Sequence, residues 1–488
     1  MKKNEITKLF ALFSLGFGSI IGVGWSVTLN NLVVIGGGPI PAILGFLLVV
    51  ILLIPITLCF AELTPAIPVS GGAMAYSYKA FGPLVSFVSG WFVVLAYVSI
   101  LPWEAIQVND ILSYILPGLR SGNPLYSIGG NEIYLPSLAV GLVLSFLIIA
   151  LNWKFGIKVS AKIQSVLILV LMGCSLMSIV FLFYKFSPGN LTPIYSVMEG
   201  KNHSSFLTGI LSIVAIGPFY FAGFDTIPQG VEKLGVGIKP NRLGKIIIFS
   251  MVGAGLFYII ILLSAGGSYP WLNFIRFDRP VLSTLLRTLY PGWQGQVLFW
   301  ISLIGTLASL FSVWNGFFIA SVQMLVSMSR VGFLPFFFQR QHKKYKTPIG
   351  ANLFCAMVLV VGIFIGIGVI DYLTVLGSTG FMIGWFVVCI SAYRLRKTQP
   401  NMYRPYQMPG GKWMAQIAAV FSMAMILNTI IPGMPGYMGE ETMIVFLIWA
   451  ILGITLYLYT KKRENIRTMA NVCLSHLKSR CHTIKRKK

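Results

Sequence analysis

Charged residues are scarce in this sequence: they make up 10% of its 488 residues, whereas hydrophobic residues make up 56%. Soluble domains carry about 25% charged residues, so the composition excludes a large globular core and indicates a polytopic membrane protein. The four histidines fall in loops or near the C-terminus, which argues against a histidine proton relay across a membrane. The six cysteines form no C-x-x-C pair, so neither a disulfide framework nor a zinc site is indicated.

Acidic residues are much rarer than basic ones, and the formal net charge is +24. If the N-terminus is cytoplasmic, nearly all of the 37 Lys and Arg fall in cytoplasmic segments. The positive-inside rule then predicts a multi-pass protein of the plasma membrane with both termini in the cytoplasm. The residues assigned to the other side are Arg120, Lys185, Lys201, Arg276, Arg279 and Arg287.

The basic tail, residues 461–488, is predicted to be cytoplasmic and to lie near anionic lipid. Nucleic-acid binding would also suit its charge. No stacking aromatic residues accompany those charges, so we expect no nucleic-acid partner.

Long apolar runs are abundant and predict an all-α protein with twelve transmembrane helices, forming one transporter domain over residues 1–460. Several runs exceed the ~20 residues that cross a bilayer, which implies tilt or extension into the cytoplasm. The predicted spans are 8–35, 39–66, 83–116, 135–153, 157–185, 205–234, 244–267, 293–327, 349–367, 370–395, 413–431 and 442–460.

Glycine interrupts two of these spans. The first is broken at residues 18–24 and the sixth at residues 222–226. Glycine weakens a helix by about 1 kcal/mol relative to alanine, and an unpaired peptide group in a bilayer costs several kcal/mol. Two unwound spans, the first and the sixth, therefore indicate a secondary transporter whose ligand binds the released backbone near the membrane midplane.

The spacing of the breaks predicts an internal repeat. Spans one to five (about 8–185) and six to ten (about 205–395) each open with a broken helix. Because five is odd, the second set begins on the opposite side of the membrane, so the two repeats are inverted. The two helices of residues 413–460 lie outside the repeat.

The two breaks offer complementary backbone groups. Around Gly22, Val23 and Gly24, amide N–H groups at a helix N-terminus suit a carboxylate. Before Gly223, the last carbonyls of a half-helix, including that of Ala222, suit an ammonium group. Together they match an α-amino acid. The alternative interpretation is that the glycines serve close helix packing.

Two aromatic residues lie next to the breaks, and we predict that Trp25 and Phe219 act as gates over the ligand, although packing or lipid contact is the alternative. Acids within or at the ends of spans are functional candidates because burying them is costly. Ion pairing with Lys or Arg is the favoured interpretation for those near span ends. Asp225 lies in the second break, where it could polarise the loosened backbone or respond to the substrate ammonium. Glu104 is the deepest acid, and its two interpretations are a proton carrier and a buried, hydrogen-bonded structural acid. The full set is Glu62, Glu104, Asp110, Asp225, Glu232 and Asp371.

Five segments together resemble bacterial permeases of the amino acid–polyamine–organocation superfamily over essentially the whole chain: residues 18–24, 68–78, 152–158, 221–226 and 404–411. The resemblance implies the leucine-transporter-like fold of two inverted five-helix repeats, working by alternating access. It also implies carboxylate contacts at Val23 and Gly24. The carbonyls of Ile20, Phe219 and Ala222 would contact the ammonium group.

The chain departs from that superfamily at a coupling position. Proton-coupled members often carry a lysine seven residues after the position of Gln164, where this chain has Leu171. We therefore expect either a proton carried by another group, with Glu104 as the candidate, or Na⁺ held by Ser309 and Ser312. Asp225 is a further coupling candidate. An uncoupled exchanger is the remaining alternative.

We accordingly predict an amino acid permease that needs no cofactor besides H⁺ or Na⁺ as the coupling ion, and no enzymatic activity. A neutral or zwitterionic substrate is favoured, but a basic amino acid or polyamine follows if Glu104 faces the pocket. A membrane transferase would need clustered His, Asp or Ser at one face, which the sequence lacks. A nutrient sensor would carry a longer signalling extension.

Overall fold

The computed structural model describes most of the chain, and the ranges are 3–128, 131–198, 204–235, 237–277 and 280–461. The predicted basic tail, residues 461–488, lies outside the described residues except for its first position.

The first half contains two membrane-crossing helix pieces, four long helices and one short helix. A single turn of 3₁₀-helix, Val23–Trp25, separates α1 from α2. The bounds are α1 Lys3–Ile20, α2 Leu29–Gly36, α3 Pro39–Ala66, α4 Ala73–Phe81, α5 Pro83–Ile115, α6 Leu135–Lys154 and α7 Gly156–Tyr184.

The second half repeats the pattern of a split helix followed by long helices. Here the turn of 3₁₀-helix is Phe224–Thr226. The bounds are α8 Phe206–Phe221, α9 Ile227–Leu234, α10 Pro240–Ser268, α11 Trp271–Phe274, α12 Val281–Leu289, α13 Trp293–Arg330, α14 Ile349–Ile365, α15 Ile370–Thr398, α16 Gly411–Ile430 and α17 Glu440–Lys461.

Strand structure is confined, within the described residues, to a hairpin of β1 (Tyr126–Ile128) and β2 (Asn131–Ile133) and an isolated bridge. The all-helical membrane fold is thus confirmed in its main feature. Ten helices of the described chain are long and apolar enough to cross a membrane. The predicted ninth span is not among them because α14 has 17 residues. The predicted first span is not among them either, since α1 carries Lys3, Glu5 and Lys8 and α2 has 8 residues.

Burial separates inner helices from outer ones. In the most apolar windows of α5 and α15, 72% of residues are buried, compared with 17% in α17 and 28% in α6 and α7. An apolar side chain gains nothing by leaving lipid, so outward Leu and Val on α6, α7 and α17 are expected to face acyl chains. The inner helices carry the polar residues of the candidate site.

Glu62 and Glu232, two acids near span ends, are paired with arginine, as their positions predicted. Glu62 of α3 is fully buried and contacts Arg396, and its Oε1 lies 3.2 Å from Arg404 Nε. Its Oε2 also accepts a hydrogen bond of 2.9 Å from the Met408 amide. Glu232 pairs with Arg330 at 3.3 Å. The Glu62 contacts fasten α3 to the end of α15 and to the segment between α15 and α16, and the Glu232 pair links α9 to the end of α13.

The Glu62→Gln variant should unfold at a clearly lower temperature, because it leaves two arginines without their buried partner. Removing one member of a buried ion pair costs about 3–5 kcal/mol. Thermal unfolding in detergent measures the effect, with Glu440→Gln, an exposed acid of α17, as the control. Equal melting temperatures for the two variants would show that the Glu62 cluster contributes no stability.

Candidate functional site

The first break begins where α1 ends. The Ile21 amide donates to Phe17 O at 3.1 Å, but the Gly22 amide turns back to Ile20 O, also at 3.1 Å. The regular i to i−4 pattern stops there, and helix resumes at Leu29 after a 3₁₀ turn. The peptide groups around Gly22 therefore do not make the regular hydrogen bonds of an α-helix.

The second break begins where α8 ends. Ala222 has a non-helical backbone with φ −59° and ψ 140°. Gly223 follows with φ +137°, a region that residues with a Cβ rarely adopt. The chain then passes through a 3₁₀ turn into α9. Glycine is required here by the backbone conformation itself.

The two breaks lie against each other. A Cβ at Gly223 would lie 2.6 Å from Ile20 N and from Ser19 C. At Gly24, a Cβ would lie 2.5 Å from ring carbons of Tyr220. The sequence identified these glycines, and the structure shows that each permits a close approach between the halves of the molecule.

Asp225 braces the second break. Its Oδ1 accepts the Gly223 amide at 3.0 Å, and its Oδ2 accepts Tyr97 Oη–H at 3.2 Å and Trp385 Nε1–H at 3.4 Å. The side chain is 3% exposed. Both carboxylate oxygens are thus engaged with groups that hold the unwound turn in place.

A cavity of about 20 Å³ lies between the breaks. This is room for a water molecule, which needs roughly 10–15 Å³ of such space. Of the predicted site residues, Ile20, Gly22, Gly24, Phe219 and Glu104 line it. The complete lining is Ser19, Ile20, Gly22, Gly24, Ile100, Trp103, Glu104, Phe219, Tyr220, Tyr258, Val313 and Phe317.

The remaining predicted residues lie outside this lining. Ala222 and Gly223 lie in the second break, and Val23 lies in the 3₁₀ turn of the first. Trp25 is fully buried, its ring 5.8 Å from that of Phe257, and its Nε1–H donates to Ser309 at 3.1 Å.

Phe219 is the predicted gate that reaches the cavity. Its ring meets that of Trp103 edge to face, with centroids 5.2 Å apart. Trp103 is itself fixed by a hydrogen bond of 3.0 Å from its Nε1–H to Thr374 of α15. The pair therefore joins α8 to α5 and α15 over one side of the cavity.

Glu104 faces the first break from α5. It is 2% exposed, and its Oε2 has no hydrogen-bond partner within the described chain. A Cβ at Gly22 would lie 3.1 Å from Glu104 Oε1. One turn further along α5, neither side-chain polar atom of Gln107 has a partner among the described residues. Buried polar atoms are rarely left unpaired, so this pair marks a candidate ligand or proton site.

The two serine candidates for a cation site have protein partners in this conformation. Ser309 Oγ–H donates to Thr306 O at 2.7 Å. Ser312 Oγ–H donates to Gly18 O at 2.8 Å and its oxygen accepts Gln164 Nε2–H at 2.8 Å. The amide of Gln164 thus lies between α1 and α13, where the sequence suggested Na⁺.

Gln164 is one link in a chain of neutral amides that the sequence did not reveal. Its Oε1 accepts from Asn315 at 3.1 Å, Asn315 Oδ1 accepts from Asn152 at 3.0 Å, and Asn152 Oδ1 accepts from Ser160 at 3.1 Å. Each amide also donates to a backbone carbonyl, of Ser312, Ser160 and Ile148 respectively. This chain ties α6, α7, α13 and α1 together without a charge.

Sequence analysis also missed Tyr258 of α10. It is fully buried, it lines the cavity, and its hydroxyl donates to Ile20 O at 3.3 Å. One available signal was a hydroxyl in the middle of the apolar span 244–267. Within the described residues, no group of three His, Cys, Asp or Glu is placed to hold a metal ion.

Two broken helices that meet at an interior cavity of a helical membrane protein are typical of secondary transporters. The sequence profile of the amino acid permease family matches residues 8–456, so the chain belongs to that family. Its members are transporters and not enzymes.

Curated relatives cover nearly the whole chain. The branched-chain amino acid permease BcaP of Bacillus subtilis is 25% identical over 94% of this chain and 93% of its own length. The methylthioribose transporter of the same organism is 26% identical over 93% of each chain. The aspartate-proton symporter of Bacillus subtilis is 23% identical over 90% of this chain and 82% of its own.

Placing a side chain at either break should stop transport. Gly223→Ala adds backbone strain of about 1–3 kcal/mol, and Gly24→Leu drives bulk into Tyr220. We expect uptake of labelled amino acids by cells expressing either variant to fall about tenfold or more. Gly173→Ala is the matched control, because a Cβ there meets nothing within 4 Å. Normal uptake by a Gly24→Leu protein present in the membrane would contradict the carboxylate site predicted from the sequence.

Proposed function

We propose that this protein is an amino acid permease of the plasma membrane that works by alternating access as a cation-coupled symporter. Membership of the amino acid permease family supports this. So do the relatives named for branched-chain amino acids and for aspartate. Branched-chain amino acids and aspartate share only the α-amino acid group, so the proposal rests on that group. The relative named for methylthioribose, a compound without that group, does not support it.

The observation that carries the proposal is the direct contact between the two helix breaks around one cavity. Gly22 and Gly24 line it from the first break and Phe219 from the second. The amide groups at Val23 and Gly24 would hold the carboxylate. The carbonyls of Ile20, Phe219 and Ala222 would accept the ammonium group, with Phe219 and Trp25 as gates.

The proposal includes twelve spans with two inverted five-helix repeats and two further helices, and both termini in the cytoplasm. The recurrence of a split helix at α1–α2 and at α8–α9 supports the repeat. The cluster of Lys and Arg in the segments assigned to the cytoplasm supports the orientation.

For coupling we favour a proton carried by Glu104 over Na⁺ at Ser309 and Ser312. Glu104 Oε2 is buried without a partner, whereas both serine hydroxyls are engaged. A neutral carboxylic acid is far easier to bury than a carboxylate, so proton uptake would accompany closure around it. Since Glu104 lines the cavity, an amine-bearing substrate side chain is the alternative partner for it.

The alternative to symport is amino acid exchange. It is favoured by Leu171, which stands where proton-coupled members of the superfamily often carry a lysine and which is fully buried. An exchanger would move labelled substrate only against substrate on the other side, with no response to a gradient of H⁺ or Na⁺.

Counterflow in proteoliposomes, with a panel of labelled amino acids, tests the function itself. We expect one class of amino acid to accumulate in vesicles loaded with the same unlabelled compound. Binding without counterflow would identify a sensor and contradict the proposal.

Glu104→Gln should abolish accumulation driven by an inward proton gradient while counterflow continues. The amide mimics the protonated acid, so it permits closure but carries no proton. Asp371→Asn, a change at an exposed acid of α15, is the control and should accumulate normally. Proton-driven accumulation by Glu104→Gln equal to the wild type, or a requirement for Na⁺, would exclude Glu104 as the carrier.

A further inference from the structure

The Tyr258 hydroxyl lies at the first break, where the substrate ammonium group is proposed to bind. It donates to Ile20 O at 3.3 Å. That carbonyl lies at the end of α1, and the last carbonyls of a helix lack partners within the helix. Ile20 O also accepts the Gly22 amide at 3.1 Å, within a tight turn. The tyrosine therefore supplies a hydrogen-bond donor at the position where an ammonium group would supply one.

The aromatic surroundings hold this hydroxyl in place. The Tyr258 ring lies 5.2 Å from the ring of Phe46, 5.8 Å from Phe221 and 6.2 Å from Tyr220. A Cβ at Gly24 would lie 3.5 Å from Tyr258 Cε1. Packed between α3 and α8, the ring spans the cavity from Gly24 to Ile20. This packing leaves few other rotamers open to Tyr258, so it holds the hydroxyl at the first break.

The cavity shows what this arrangement does. With the hydroxyl bonded to Ile20 O, about 20 Å³ remains between the breaks. An amino acid is several times larger than a water molecule, so the protein closes here around its own side chains. A carbonyl oxygen has two lone pairs, and the Gly22 amide uses one of those of Ile20. Tyr258 supplies a donor to the second one in the closed conformation.

We propose that Tyr258 is an internal substitute for the substrate ammonium, which allows the permease to close and reorient without cargo. On substrate binding, the ammonium group displaces the hydroxyl from Ile20 O. Tyr258 is thus a positioning residue that sets the rate of the unloaded carrier and competes with the substrate. This inference rests on the proposed function, since it needs a transported amine.

The proposal separates two transport modes. Net uptake requires the unloaded carrier to return, whereas exchange does not. The Tyr258→Phe variant loses the hydrogen bond to Ile20 O in the closed conformation without substrate. The closed conformation with bound substrate loses nothing, because the ammonium group has already displaced the hydroxyl there. One net hydrogen bond corresponds to roughly a fivefold change in an equilibrium. We expect net uptake to fall about fivefold, exchange to stay at the wild-type rate, and substrate affinity to rise by up to about fivefold.

The experiment uses the full-length protein in proteoliposomes and the amino acid that counterflow identifies. Exchange, net uptake and equilibrium binding are measured for wild type, Tyr258→Phe and the control Tyr290→Phe. Tyr290 also donates to a backbone carbonyl, Phe181 O, at 2.8 Å, but it does not line the cavity. The control should leave the ratio of exchange to net uptake unchanged.

Three results would overturn the inference. Weaker binding with parallel loss of both modes would make Tyr258 a substrate contact. An unchanged ratio in Tyr258→Phe would mean that the hydroxyl does not assist closure, and loss of exchange would show a structural role. If the wild type itself transports no amino acid, the proposed function fails instead, independently of the Tyr258 variant.

Discussion

A peptide group released from a helix inside a membrane must find a partner, and the rest of this structure follows from that requirement. Water is absent there, and each unsatisfied N–H or C=O costs several kcal/mol. The chain breaks two helices where they touch, at Ile20 and at Gly223. Asp225 accepts the Gly223 amide, and Tyr258 donates to the Ile20 carbonyl. The Tyr258 hydroxyl supplies at Ile20 O the kind of donor that we propose the substrate ammonium supplies, so the proposed site lies at a weak point of the fold.

The buried acids and amides around this site differ in how they are paired. The buried acid Glu62 contacts two arginines, so it serves as a fastener between α3 and the α15–α16 segment. Between α1 and α13, the helices are linked by a chain of neutral amides that ends at Gln164. Both N–H groups of each amide donate a hydrogen bond. Glu104 differs from both, since its Oε2 lacks a partner among the described residues. This is why the proposed proton coupling rests on Glu104.

Much of this could be predicted from the sequence, and the limits have physical causes. Glycine at 22, 24 and 223 signals a break because the lack of a Cβ is a local property. Ion pairing of Glu62 followed from its place near a span end. Tyr258, by contrast, matters only because α10 is rotated to aim its hydroxyl at α1, and the rotation of one apolar span against another is not encoded locally. The amide chain joins residues more than 150 positions apart, such as Asn152 and Asn315. Trp25 lies next to the break in sequence, yet its ring packs toward Ser309.

The central claim is that backbone groups hold both ends of an α-amino acid. The most direct measurement is equilibrium competition against the labelled amino acid by two derivatives of it, one N-acetylated and the other with the carboxylate converted to an amide. Hydrogen bonds to charged groups are worth about 1.5–3 kcal/mol, so each derivative should bind roughly 10- to 100-fold more weakly than the parent. If either derivative competed as well as the parent amino acid, the backbone groups proposed for that end of the substrate would not bind it.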